Sequence, residues 1–305
     1  MTVTLVAVLL VLAASVTILF LSKRKSRDAT ASDSDVSSVS VIPADSDEDY
    51  HSPYDGSLGS AGSLCGRTLI LSIFTDDADT SWDDDSEEDS ATRYDTLDNL
   101  RISTSYLTDQ AARFGADATF FWDWELNPDL YYRAFFSESL VTEYGDMYDV
   151  QKDWIEANIN TNALKNKYRA DNVLYLFFFN TDYSNQVNPW YLGYSCSPSY
   201  YIEFCNIYVK FDDIYVTKPP SYAHEIMHCF GAHDLYYQNE FIPQKYVDHL
   251  CKTYSNDIMF TVFDSKEITN EFSELDAYYV GLCDECEEVS KWHLAPSEHI
   301  TATDN

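Results

Sequence analysis

The chain has 305 residues, 45% hydrophobic and 23% charged, enough for a leader and one sizeable domain. Its 51 acidic residues against 19 basic ones leave a formal net charge of −32, which excludes a nucleic-acid-binding footprint. Four of the basic residues are Lys23, Arg24, Lys25 and Arg27, so the rest is more acidic still, while 24 tyrosines and 17 phenylalanines exclude disorder for the main body.

Val3 to Ser22 is apolar apart from a few small hydroxyls. At helical rise such a run crosses a hydrocarbon core of about 30 Å. No Lys or Arg precedes it and the basic cluster follows it, the reverse of a cleaved signal peptide. Residues 1–22 therefore read as a single-pass transmembrane anchor. The positive-inside rule places Lys23 to Arg27, and the domain behind them, in the cytoplasm. The cysteine content argues for the oxidising side, so the membrane side stays open. Residues 23–63 form a basic juxtamembrane cluster and then a Ser- and Asp-rich flexible linker, with a span of roughly 33 Å by random-coil scaling.

The folded body is expected from near Cys65, as one domain over residues 64–305. Arg67 to Phe74 predicts a strand. An acidic loop from Asp76 to Asp89 follows. Hard cations take oxygen ligands, so Ca2+ is one reading, but EF-hand spacing is missing and a solvated loop is the simpler one. Leu97, Leu100, Leu107 and Ala111 recur at helical intervals within a helix over 92–114. Ala118 to Trp124 fits a strand, and Asp149–Ile159 and Thr161–Arg169 fit helices. The apolar run Val173–Phe179 marks a strand buried on both faces. Tyr200 to Phe211 suggests two short strands or a hairpin, and Asn270 to Glu288 a closing helix. The order is an α/β plan, a twisted mixed sheet with a helix behind a cleft.

Before that closing helix stands His-Glu-Ile-Met-His-Cys-Phe-Gly-Ala-His-Asp, residues 224–234. On a helix led in by Pro219 and Pro220, His224 and His228 sit at i and i+4, so both imidazoles leave one face and can share a metal. Glu225 is near enough to act on a metal-bound water as general base. Gly231 falls where the helix should stop, because a residue without Cβ can enter the left-handed conformation and turn the chain back. Asp234 comes three residues later as a possible third ligand. His233 stands beside it, and a one-residue shift would make it the ligand instead.

This run resembles the metzincin-like zinc metalloendopeptidase motif HExxHxxGxxH with Asp in the last place. The HExxHxxGxxD form is similar to the snapalysin-like and immune-inhibitor-A-like bacterial proteases, the latter through Asp234-Leu235-Tyr236 as well. Tyr254-Ser255-Asn256-Asp257-Ile258-Met259 is similar to the family's Met-turn. The resemblance implies a zincin domain, one Zn2+ held by His224, His228 and Asp234, a catalytic Glu225, Met259 beneath the metal, and a protein or peptide substrate. It covers residues 219–260 closely and the rest only in architecture. Three protein ligands leave a fourth position open for water, as in catalytic rather than structural sites. The expected function is a membrane-anchored zinc endopeptidase. A non-catalytic membrane-tethered binding module on the same fold is the alternative, against which an intact Glu225 argues.

The seven cysteines are an odd count. Cys196 and Cys205 flank the expected hairpin and can be bridged. Cys283 and Cys286 form a CxxC in the expected closing helix, without a second pair at zinc-finger spacing. Cys229 lies in the metal helix as packing. Cys65 is a weak candidate for a thiolate that blocks the zinc.

Overall fold

The structure, a computed structural model, describes residues 50–53, 58–140, 148–182, 202–210, 217–253, 256–263 and 265–301. The expected membrane anchor, the basic cluster and Cys196 lie outside them. Among the described residues no helix is long and apolar enough to cross a membrane.

Two long strands carry the centre. β1 (Gly66–Asp76) and β4 (Asn172–Asp182) pair in parallel, and β5 (Phe204–Lys210) continues the sheet beyond β4. Two short strands, β2 (Ala118–Phe121) and β3 (Tyr131–Phe135), follow one another along the other edge of β1. Every described pairing is parallel, which corrects the expected mixed sheet. Parallel neighbours need crossovers, and helices supply them. α1 (Glu87–Arg113) links β1 to β2, and α2 (Tyr148–Asn158) and α3 (Thr161–Tyr168) lie between β3 and β4. Only one strand stands where a hairpin was expected, and the residues before it lie outside the described ones.

Alternation along the strands divides their side chains between two covered faces. Phe74, Leu176, Phe178 and Ile207 join Leu100 and Leu107 of α1 and Ile226 of α4 (Pro219–Cys229) in one buried cluster. On the opposite face Trp154 meets Phe177 edge-on and Tyr148 stacks on Phe204. Gln151 Nε2 donates to Asn206 Oδ1 at 2.6 Å there. Phe177 and Phe178 are fully buried. Burial of each such ring stabilises by about 1.5–3 kcal/mol.

α1 starts under its own sequence control. Ser86 caps it by accepting from Asp89 N at 3.2 Å, and Glu87, Glu88 and Asp89 face the positive end of its dipole. Its buried polar residues have a second use. Asn99 donates to the Thr217 carbonyl at 2.7 Å and Ser103 to the Pro219 carbonyl at 2.8 Å. These bonds hold the first turn of α4 against α1.

Three expectations shift. The linker was expected to run to residue 63, yet Leu58 and Ala61 are buried and Val173 N donates to Ser60 O at 2.7 Å. Tyr50 and Ser52 also donate to Asp171. The body thus begins before Cys65. The closing helix is two short helices, α6 (Glu274–Tyr279) and α7 (Glu287–Trp292). Gly281, at φ +73°, separates them, and a Cβ there would meet Ser63 Oγ at 2.5 Å. Cys283 and Cys286 lie in and at the end of that connection as free thiols. A helix not anticipated, α5 (Gln244–Thr253), precedes the Met259 loop, and α8 (Glu298–Thr301) ends the described chain.

Candidate metal centre

Two prolines fill the first turn of α4, where an N–H would have no helical partner. The helix closes with Gly231 N donating to His228 O at 2.9 Å and Ala232 N to Met227 O at 3.1 Å. Gly231 has φ +98°, a conformation other residues rarely adopt. The chain therefore turns back, and Asp234 arrives opposite His224 and His228.

His224 Nδ1 lies 2.9 Å from the Ile258 carbonyl, and His228 Nδ1 lies 2.8 Å from the Ala232 carbonyl. A carbonyl only accepts, so each Nδ1 carries a proton and donates it. Each neutral ring then turns a bare Nε2 lone pair inward. The two Nε2 atoms stand 3.1 Å apart, and Asp234 Oδ1 stands 3.1 Å from one and 3.2 Å from the other. Three acceptors at these distances repel one another unless a cation lies among them. Tetrahedral zinc with ligands about 2.0–2.1 Å away sets ligand–ligand edges near 3.3–3.4 Å, so the donor set and its spacing fit that ion. Without a metal, a proton meets the same demand. Burial disfavours charge on His228, but the hydrogen bond and charge of Asp234 outweigh it and hold the imidazole up to about 9. Burial pushes Asp234 up, yet the two imidazoles outweigh it and keep the carboxyl well below the usual range.

Among the described residues, His224, Glu225 and His228 form the group whose donor atoms all lie within 4.8 Å of one another and could hold a metal. Within it Glu225 stands back, with Oε1 at 4.0 Å from His224 Nε2. Asp234 Oδ1 is closer to both rings, at 3.1 and 3.2 Å, and Glu225 stands beside that triangle. Glu225 is only 3% exposed, and its Oε2 has no hydrogen-bond partner. Burial pushes its carboxyl up to about 7 against the pull of His224 and His228. A buried carboxylate oxygen without a donor is costly, and such atoms concentrate at functional sites.

Met259 is fully buried. Its amide donates to Asp257 Oδ1 at 2.8 Å, and its carbonyl accepts from Leu235 N at 2.9 Å. One loop thus orients His224 through Ile258 and fixes the residue after Asp234 through Met259. Tyr254 and Ser255 of the same stretch lie outside the described residues. The rival ligand His233 points elsewhere. Its ring stacks on Phe241 at 3.8 Å and meets Tyr279 edge-on at 4.7 Å. Burial holds it neutral, down to about 3.

Sequence reasoning missed the Ile258 and Ala232 carbonyls, since backbone atoms leave no residue signature. Tyr236, close in sequence to the metal helix, has its ring centroid 6.5 Å from that of His224. Tyr236 and Tyr237 are half-exposed, and partial burial and the nearby Asp234 charge raise both phenols. Cys65 is absent from the metal-capable group. Several carboxylates of the acidic loop already have protein partners. Asp77 Oδ1 accepts from Asp79 N, Thr80 N and Thr80 Oγ1, and Asp76 takes Trp82 N and Arg133. Asp84 accepts from Arg93 and Arg133. Comparison of the chain with protein-family models and with curated proteins gives no match.

Proposed function

We propose that the chain is a membrane-anchored, zinc-dependent endopeptidase on a zincin-like fold. His224, His228 and Asp234 are its metal ligands, Glu225 its general base and acid, and Met259 the residue beneath. The observation that carries this reading is the triangle of inward-facing acceptors with edges of 3.1, 3.1 and 3.2 Å, beside a buried carboxylate oxygen with no partner. Zinc bound there would polarise a peptide carbonyl and make a coordinated water acidic near neutral pH.

The chain's own residues supply the rest. The Ile258 and Ala232 carbonyls lock both imidazoles in one tautomer and one orientation, which raises their basicity toward a metal. Glu225 accepts a proton at Oε2, shields it from bulk water and returns it to the departing amine. Tyr236 and Tyr237 wall the entrance where a peptide would lie. Residues 3–22 tether the domain to a bilayer, and the residues after them hold it clear. We assign no calcium to the acidic loop.

The test is Glu225→Gln, which keeps shape and removes the base. Elemental analysis of the purified chain should give about one zinc in wild type and variant alike, while cleavage of a broad peptide library falls by roughly 10²-fold or more. A variant that still cleaves, or a folded wild type that refuses added zinc, overturns the reading. Full zinc with no cleavage in the wild type would leave a metal-binding module instead.

A further inference from the structure

Two thiols outside the metal centre remain to be explained. Cys205 lies on the α4-facing side of β5, paired in register with Leu176 of β4. Cys229 is the last residue of α4. Both are fully buried, and their Sγ atoms are 3.5 Å apart. Cys205 Sγ also lies 3.6 Å from the Glu225 carbonyl. A disulfide needs its sulfurs about 2.05 Å apart, so closure asks for about 1.5 Å of approach shared by two side chains.

We propose that Cys205 and Cys229 form a disulfide, a covalent weld between the sheet and the helix that carries His224, Glu225 and His228. The oxidant is a low-molecular-weight disulfide such as oxidised glutathione. Two cysteine S–H bonds break, one protein S–S bond forms, and the reagent's S–S bond breaks. The two protons and two electrons leave with the two small thiols released. The bond closes while the chain folds, because the finished core shuts both sulfurs away from reagents. The pairing replaces the Cys196–Cys205 bridge anticipated from the sequence.

The weld and the metal site are separable. The bond joins residue 229 to residue 205 whether or not any ion binds, and it stands if the peptidase reading fails. It would fix the helix end next to His228, so its effect on zinc is a second readout.

The experiment uses the full chain, unfolded in urea and refolded with a mixture of reduced and oxidised glutathione. Thiols are then alkylated in denaturant without reduction, and the digest is mapped by mass spectrometry. The expected product is one linked peptide pair holding Cys205 and Cys229, two mass units lighter than the separate peptides. Reduction of this material should lower its melting temperature by roughly 5–10 °C, and Cys229→Ser should abolish both the link and the shift. Alkyl groups on both cysteines, or a bond from Cys205 to Cys196, overturn the proposal. Should refolding fail, the same map on chain secreted through an oxidising compartment decides it by the same two outcomes.

Discussion

Glu203 should make the stability of this protein fall as pH rises. The residue stands just before β5 and is fully buried. Its Oε2 accepts from Ala61 N at 2.8 Å and Ser60 Oγ at 2.7 Å, so it fastens the segment ahead of β1 to the sheet. Its Oε1 has no partner and presses on Gly59, where a built Cβ would lie 2.0 Å away. Burial pushes the carboxyl from 4.5 up to about 8, outweighing the bonds from Ser60 and Ala61. An acid raised on folding contributes its stability fully below the unfolded value and loses it as pH climbs to the folded one. The window is therefore pH 4.5 to about 8. At about 1.36 kcal/mol per pH unit the ceiling is near 5 kcal/mol, which local relaxation should cut to about 2–3 kcal/mol. Glu203→Gln keeps an acceptor for Ala61 and Ser60 and removes the titration. Urea unfolding of both chains from about pH 5 to 9 is the assay. The repulsion from the large negative charge acts on both and cancels in the difference. The variant should gain about 2 kcal/mol over wild type between about pH 5 and 8 and nothing more above that. Parallel profiles across this range would refute the reasoning.

Two further substitutions separate neighbouring roles. Asp234→Ala removes one corner of the triangle and should weaken zinc binding by roughly 10²-fold or more in competition with a chelator, whereas His233→Phe, which keeps the stack on Phe241, should leave it within about threefold. Equal losses would return His233 to the ligand set. Asp276→Asn acts beside Asp257 of the Met259 loop, where both carboxyls are buried. Burial first, and for Asp276 the Asp257 charge next, raises both carboxyls, so their stability too is lost with rising pH. Asparagine still accepts from Ser273 N, so the variant should melt higher than wild type above neutral pH, by about 1 kcal/mol, and lower melting there would sink the idea.

Much of the candidate site's geometry was legible because its signals are local. The i, i+4 histidines, Gly231 and Asp234 act within a dozen residues, and helix geometry alone brings them near one another. The choice between Asp234 and His233 was not local. It depends on Phe241 and Tyr279, which take His233 into an aromatic slot. Strands with strong apolar runs, β1 and β4, were also legible. β3 was not, since Tyr131 to Phe135 carries one fully buried residue, Ala134, and an arginine bonded to Asp76. α5 was hidden for a similar reason, with only Tyr246, Val247 and Leu250 buried among polar neighbours. The closing helix was read too long because apolar spacing persists through Gly281, whose positive φ breaks it. The segment before Cys65 reads as linker because Leu58 and Leu64 are its only large buried apolar side chains among the described residues, and the rest of its hold on the body comes from Ser60 and backbone groups.

Under the proposed anchor, the side of the membrane on which the domain lies can be decided by two observables that must agree. By the positive-inside rule the basic cluster after residues 3–22 would put the domain of an anchored chain in the cytoplasm, and the many acidic residues contribute little to that rule. A secreted-type peptidase with a disulfide belongs on the oxidising side. Cys251 is exposed, so a membrane-impermeant maleimide added to intact cells should label it only when the domain faces outward. In the same cells the Cys205–Cys229 pair reports the redox environment in which the chain folded. An outward domain must carry the bond, and a cytoplasmic one must carry two thiols that oxidised glutathione can join during refolding. Labelled Cys251 together with a reduced pair is the combination that neither topology allows if these sulfurs bond as inferred, and it would count against the disulfide rather than against the anchor.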